Sequence, residues 1–200
     1  QRQLEYRESE TGKAYHNMSY LTQDPGYRLF WKAPTGRWRV LIFQQTEFEP
    51  LSHSSTQFDP YNPEAVSRFI ETAQEPYFQQ FKEHFGKTFA GVMTSETIPQ
   101  KERLPWSPLL PKAFELRNGY PLLNCLPALI TEFGPNTSRI RYDYFQTLGE
   151  LHRDSYQRIC AGWCNQQNIN YASDLSILRN SHRNFIHIPG TQGGQEKIGA

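Results

Sequence analysis

The most constraining feature of this sequence is a long amphipathic segment between two apolar ones. The first apolar segment, Trp38–Gln45, is continuously hydrophobic from Val40 to Phe43, which is typical of a strand covered on both faces of a parallel sheet. The second, Thr88–Thr94, is rich in β-forming residues. The segment between them repeats apolar side chains at the spacings of a helix with one buried face: Val66, Phe69, Ile70, Ala73, Tyr77, Phe78, Phe81 and Phe85. A helix of this length allows a right-handed crossover, so the two strands are predicted to be parallel neighbours.

The predicted helix carries its own start and stop signals. Asn62 is a capping residue, Pro63 fits the first turn, and Glu64 complements the helix dipole. Pro76 interrupts the pattern, which predicts a kink or two abutting helices. Gly86 is expected to provide the left-handed residue that ends the helix.

A second helical region is predicted in the C-terminal half of the chain. Apolar residues recur at helical spacing from Ile140 to Gln167, with Ser138 as the expected cap and Asn168 in the C-terminal turn. The next segment, Ile169–Ala172, is predicted to be a third strand. The segment Ile98–Pro111, which follows the predicted strand Thr88–Thr94, holds four prolines and is predicted to be an irregular loop.

The repeated order of strand, long loop and helix predicts an α/β fold, a partial (β/α)8 TIM barrel with long loops at the C-terminal ends of its strands. An open, doubly wound sheet is the alternative. Residues 1–37 are polar and turn-rich and would lead into the barrel, and residues 38–200 would form a portion of its catalytic domain. Because a complete barrel takes about 250 residues, and because the chain starts without methionine and ends in a loop-like stretch, we expect a fragment of a larger protein.

Composition excludes several classes of partner and cofactor. The 21 basic and 20 acidic residues give a net charge of +1 without a long run of either sign, so nucleic acid is not expected as a partner. No apolar stretch is long enough for a membrane span. Motifs for nucleotides, cofactors or histidine-built metal sites are absent from the sequence, so neither a cofactor nor a metal is expected. Cys160 and Cys164 are interpreted as small side chains facing a core.

Three acidic residues follow predicted strands: Glu47, Glu96 and Asp174. In a parallel barrel the C-terminal ends of the strands form the active site, so these carboxylates would converge on one mouth. Glycoside hydrolysis needs two such groups, one to protonate the leaving oxygen and one to activate water or attack. A solvated or helix-capping role is the alternative, and it is favoured for Glu47 and Asp174. Glu96 is the predicted catalytic carboxylate, because its strand is well marked.

If they belong to the site, Glu47 and Asp174 are predicted to bind the substrate, and two further residues are also predicted to contact it. Trp106 lies in the proline-rich loop, where an aromatic ring would stack on a sugar or raise the pKa of a nearby acid. Asp59 lies in the loop before the first helix and would bind substrate hydroxyls or cap that helix. Most of the chain's aromatic residues are expected to belong to its core.

Several segments together resemble bacterial TIM-barrel glycoside hydrolases related to the α-L-rhamnosidases. The resemblance runs from about Trp31 to Gly199 and rests on these segments: FDPYNPEAVSRFIE, EPYFQQFKEHFGKTFAGVMTSE, LPW, FELRNGYPLLNCLPAL and RYDYFQTLGELHRDSYQRICAGWC. It implies that the carboxylate after the fourth barrel strand, Glu96 here, is the general acid. The sequence departs from the family pattern at Ser95, where Asp is usual, and at Thr97, where Pro is usual. The resemblance also implies a partner base on a later strand, which is expected beyond Ala200.

The sequence therefore supports a glycoside hydrolase that acts on a polysaccharide or oligosaccharide. The alternative is a catalytically inactive carbohydrate-binding or scaffold barrel, motivated by Ser95, Thr97 and the missing second carboxylate. The expected partners are a carbohydrate substrate and the remainder of a larger barrel or multidomain chain. The family resemblance implies a periplasmic or secreted location, although the N-terminus is too polar for a signal peptide.

Overall fold

The structure, a computed structural model, describes residues 2–10, 32, 34–47, 58–94, 104–173 and 185–190. Its strands are β1 (Arg2–Glu10), β2 (Arg39–Glu47), β3 (Gly91–Thr94), β4 (Leu104–Trp106), β5 (Asn170–Ser173) and β6 (Ile188–Pro189). Its α-helices are α1 (Pro63–Phe69), α2 (Glu75–Phe81), α3 (Leu110–Asn118), α4 (Thr137–His152) and α5 (Arg158–Gln166). Two π-helical turns (Ile70–Gln74, Arg153–Gln157) and two 3-10 segments (Lys82–His84, Leu122–Leu129) join some of them. The chain forms two compact units, Glu5–Gln44 and Gln1–Leu4 with Gln45–Ala200.

The first sheet has the strand order β2-β1-β4. β4 pairs antiparallel with the start of β1, and Pro105 lies opposite Gln3. Strand β1 lies within residues 1–37, which are polar and turn-rich and show no apolar pattern that would predict a strand.

The prediction of an irregular loop over Ile98–Pro111 is wrong for its described part. Pro105 belongs to β4, which is at the edge of its sheet, where a missing N–H is tolerated. Pro111 lies in the first turn of α3, where the N–H has no helical partner to lose. The prolines are therefore placed at the positions where regular structure accepts them.

The second sheet has the order β3-β5-β6 and is parallel throughout. The predicted strands in Thr88–Thr94 and Ile169–Ala172 are confirmed as β3 and β5, whose ends differ from the predicted ends by at most three residues. The predicted pairing of the first two strands is wrong, because β2 and β3 belong to different sheets and β3 pairs with β5. Ile42 of β2 is 52% exposed, so this apolar strand lacks the cover on both faces that a central parallel strand has.

The first predicted helix is confirmed as α1 and α2 joined by a π-helical turn. Asn62 accepts a hydrogen bond from the Glu64 N–H at 3.0 Å, which is the predicted cap. The helix changes register just before Pro76, which lies in the first turn of α2. Gly86 has a φ of 73°, in the left-handed region.

The second predicted helical region is confirmed as α4, a π-helical turn and α5. Ser138 is not its cap, because the helix begins one residue earlier, at Thr137. The Thr137 hydroxyl accepts from the Phe133 N–H and donates to the Gly134 carbonyl, at 2.9 and 2.7 Å. Asn168 has a φ of 56°, as its place after the helix predicts.

A hydrophobic core lies between the parallel sheet and the helices α1 and α5. Its buried members are Val66, Ile70, Tyr156, Cys160, Ala161, Trp163, Cys164, Ile169 and Tyr171. Cys160 and Cys164 are free thiols inside this core, as predicted. The described part of the chain is thus a mixed α/β protein with helices packed on one face of a parallel sheet. Among the described residues, no helix has the length and apolar character that crossing a membrane requires.

Candidate functional site

The C-terminal edge of the parallel sheet is the candidate site. Thr94 ends β3 and Ser173 ends β5, and the two residues lie opposite each other in the register of the sheet. Both are buried. The backbone N–H of Gly190 donates to the Ser173 carbonyl at 2.9 Å, which extends this edge toward β6. Parallel strands that end in register deliver the residues that follow them to the same side of the sheet.

Two of the three predicted acidic residues follow these strands in the sequence. Glu96 follows Thr94 by two residues and Asp174 follows Ser173 immediately, and both lie outside the described residues. Glu47 is the last residue of β2. Catalysis by Glu96 and substrate binding by Glu47 and Asp174 therefore stay predictions.

A layer of buried hydroxyl groups lies just inside the sheet edge. The Thr94 Oγ1 and the Tyr171 hydroxyl are 3.0 Å apart and share a hydrogen bond. Burial raises the pKa of Tyr171 and that of Tyr156, so both phenols stay protonated near neutral pH. Neutral phenols are hydrogen-bond donors and not bases here, so this layer supports the edge and does not supply a proton acceptor.

Asp59 joins the loop before α1 to the segment after β4. One carboxylate oxygen accepts from the Tyr61 N–H at 3.0 Å, and the other accepts from the Ser107 hydroxyl at 2.7 Å. Burial, and after it the charge of Asp59, raises the pKa of Tyr61. The Ser155 hydroxyl donates to the Tyr61 carbonyl at 2.9 Å, which ties the same loop to the second π-helical turn. Both Asp59 oxygens have structural partners, and its contact with a substrate stays a prediction.

Trp106 is buried in the protein, with 4% of its surface exposed. Its indole N–H donates to the Gln45 side-chain carbonyl at 2.9 Å. This placement leaves little of the ring for a sugar, so the predicted stacking has no support from the position of Trp106.

Two further polar residues, Gln157 and His187, were not singled out by the sequence. Gln157 ends the second π-helical turn and is 0% exposed, and within the described part of the chain neither its amide oxygen nor its amide nitrogen has a hydrogen-bond partner. His187 precedes β6, and its Nδ1 accepts from the Tyr171 N–H at 2.9 Å. A π-helical turn inserts one residue into an α-helix and thereby shifts the face that is buried. The apolar spacing around Gln157 reads as helical throughout, so it gives no sign of this turn.

Metal binding has no support within residues 58–94 and 104–173 or the shorter described ranges. No group of three or more His, Cys, Asp or Glu side chains comes together there.

Comparisons with known proteins point to one family. The sequence profile of the alpha-L-rhamnosidase family matches residues 17–188. A putative β-glucuronidase of Formosa agariphila is 23% identical over 165 residues, 78% of this chain and 14% of that protein. The structure of a rhamnosidase from Novosphingobium sp. PP1Y matches with a TM-score of 0.55 and 23% identity, over 74% of this chain and 15% of the other. The structural match supports the mixed α/β fold, and the chain spans about one seventh of the length of both relatives.

Proposed function

Because this chain belongs to the alpha-L-rhamnosidase family of glycoside hydrolases, we propose that it is part of the catalytic domain of an enzyme that hydrolyses a glycosidic bond by carboxylate acid–base catalysis. The family match carries this proposal, since it spans both strands of the candidate site. The order β3-β5-β6 is also the order in which consecutive strands of a (β/α)8 barrel lie side by side. We therefore retain the partial barrel as the proposed fold.

Glu96 is the proposed general acid. It follows β3 by two residues in the sequence, and β3 ends in register with β5 at the edge where parallel barrels bind their substrates. Asp174 follows β5 at the same edge and is proposed to bind substrate hydroxyls. Neighbouring strands lie about 4.8 Å apart, which is close enough for the two carboxylates to meet one sugar. The partner base is proposed to come from a later strand.

The proposed substrate class is a glycoside of a deoxyhexose or a uronic acid. The names of the two relatives, a rhamnosidase and a putative β-glucuronidase, motivate these two classes. The classes differ in charge, since a uronic acid carries a carboxylate and rhamnose is neutral. Hydrolysis rates on α-L-rhamnosides and β-D-glucuronides, measured side by side with the full-length protein, would distinguish them.

The role of Glu96 is tested with Glu96→Gln in the full-length protein. We expect turnover of unactivated glycosides to fall by about 10²- to 10⁴-fold, because protonation of the leaving oxygen is lost. Glycosides with good leaving groups should lose less, since their departure needs less protonation. The matched control is Glu115→Gln, an exposed carboxylate on α3, which should keep full activity.

Two results would contradict the proposal. Near-normal turnover by Glu96→Gln removes Glu96 from the mechanism. Glycan binding by the wild-type protein without any turnover, measured by calorimetry over the same substrates, supports an inactive carbohydrate-binding barrel instead.

A further inference from the structure

The third strand of the parallel sheet is short, and few hydrogen bonds hold it on its neighbour β5. β6 has two residues, and one of them, Pro189, has no N–H to donate. Before the strand, the His187 N–H donates to the Tyr171 carbonyl at 2.9 Å. After it, the Gly190 N–H donates to the Ser173 carbonyl at 2.9 Å. Because the backbone bonds are few, a single further bond has a large effect on the docking of this strand.

The imidazole ring of His187 supplies such a bond. Its Nδ1 accepts from the Tyr171 N–H at 2.9 Å. His187 therefore satisfies both backbone groups of Tyr171, the carbonyl with its own main chain and the N–H with its ring. In a regular parallel ladder a backbone carbonyl of the neighbouring strand would accept this N–H. A side chain that can gain a proton thus replaces a backbone carbonyl that cannot.

This bond fixes the protonation state of the His187 ring. A ring nitrogen accepts a hydrogen bond only while it carries no proton, so the proton of the neutral ring is on Nε2. A proton on Nδ1 would turn the acceptor into a donor that faces the Tyr171 N–H. His187 is exposed, so the proton can reach it from solvent. Tyr171 is fully buried, so its N–H would be left without a partner.

The groups around His187 offer no negative charge that would stabilise its protonated form. Within the described ranges, no carboxylate forms an ion pair with the ring. The strands β3, β5 and β6 contain no acidic or basic residue, and burial raises the pKa of the Tyr171 phenol, which therefore keeps its proton. The helix packed on β5, α5, adds the cation Arg158 and two buried thiols, Cys160 and Cys164, which are neutral at acidic pH.

We propose that His187 is a pH-sensitive attachment of β6 to β5. With a neutral ring the strand is docked, and with a protonated ring the bond to Tyr171 is lost and residues 187–190 separate from β5. Phe185 and Ile186 stay packed against the core, so the separation is local. Histidine gains its proton between about pH 8 and pH 5, so mild acid opens the sheet at the edge where Gly190 is bonded. The inference rests on these hydrogen bonds and not on the proposed function.

The test is amide hydrogen exchange in the full-length protein at about pH 5 and about pH 7.5. Mass spectrometry with single-residue fragmentation reads each amide, and the rates are corrected for the intrinsic effect of pH. We expect the protection of the Tyr171 amide to be about 10-fold lower, or less still, at the acidic pH, because the separated state takes up a proton. The Asn170 amide is the control in the same strand, since it donates to the Ala90 carbonyl at 2.9 Å on the side of β3. Its protection should not change.

Two variants separate His187 from the other groups that titrate in this range. His187→Asn keeps an acceptor oxygen close to the position of Nδ1 and cannot gain a proton, so its Tyr171 amide should be equally protected at both pH values. The matched control is His84→Asn, which replaces another exposed histidine, beside Glu83. This variant should keep the full pH effect of the wild-type protein.

Three results would overturn the proposal. The first is equal protection of the wild-type Tyr171 amide at both pH values. The second is an equal loss of protection at Tyr171 and Asn170, because the whole sheet and not β6 would then respond to acid. The third is a pH effect that persists in His187→Asn, since another group would then carry the proton. The comparison of the two wild-type amides needs no variant, so it decides the matter where His187→Asn does not fold.

Discussion

At the scale of the residue, polar side chains in this chain divide into those that serve the local backbone and those that do not. Asn62 caps the helix that begins beside it, and Asn168 takes the left-handed conformation that ends α5. Gln157 serves no local backbone group, since it is fully buried and its amide is unpaired within the described part of the chain. An unpaired buried amide is destabilising, so Gln157 lowers the stability of the fold.

This view of Gln157 predicts a gain in stability on its replacement. Gln157→Met keeps the length of the side chain and removes both unpaired polar atoms, so we expect the free energy of unfolding to rise by about 1 kcal/mol. Urea denaturation measures this change. The control is Gln80→Met on the exposed side of α2, which should change stability by less than about 0.5 kcal/mol. A clear loss of stability in Gln157→Met would mean that the amide has a partner in the native protein.

At the scale of the element, the close contact between β3 and β5 depends on one glycine. A Cβ placed on Gly91 would lie 2.6 Å from the backbone carbonyl oxygen of Asn170, in the neighbouring strand. This distance is too short for two atoms that are not bonded, and a backbone atom in a sheet cannot swing away as a flexible side chain can. Gly91 therefore sets how closely the strands approach at the start of their pairing.

Gly91→Ala is expected to destabilise the protein by roughly 1–3 kcal/mol, as overpacking against a rigid neighbour does. Thermal or urea denaturation of the variant checks this value. The matched control is Gly162→Ala in α5, where an added Cβ meets nothing within 4 Å. That change should stabilise the protein by about 0.5–1 kcal/mol, because alanine is the better helix former. Equal effects of the two substitutions would contradict the contact at Gly91.

At the scale of the whole molecule, the core between helices and sheet contains ionisable groups that it holds neutral. Burial raises the pKa of Cys160 from 9.0 to about 12 and that of Cys164 from 9.0 to about 11. Burial also raises the pKa of Tyr156 and of Tyr171. In the unfolded chain these groups lose their protons at lower pH, so alkaline conditions favour unfolding.

The sign of this effect gives a prediction for alkaline pH. The stabilisation from the two thiols is complete below pH 9, where both states hold the proton, and it is lost as the pH rises toward 11 and 12. Between pH 7.5 and 10 we expect each thiol to account for a loss of about 1 kcal/mol. The double variant Cys160→Ala and Cys164→Ala should therefore lose less stability over this interval than the wild type. Urea denaturation at both pH values tests this, and parallel losses would refute it.

Local chemistry determined much of this protein from its sequence. The cap at Asn62, the break before Pro76, the left-handed turns at Gly86 and Asn168 and the helical faces follow from interactions within a few residues. The strands within Thr88–Thr94 and Ile169–Ala172 follow from local composition in the same way. For the candidate site, the sequence supplied the carboxylates that follow these strands, Glu96 and Asp174, and the family of glycoside hydrolases to which they point.

The tertiary structure alone decided which strands pair and what surrounds each side chain. In it, β2 and β3 belong to different sheets, Pro105 lies in an edge strand and Trp106 is buried. The bond between Thr94 and Tyr171 joins residues 77 positions apart. The free energy of such a contact depends on the closure of the intervening chain and on burial, and neither quantity is encoded in the pattern of neighbouring residues.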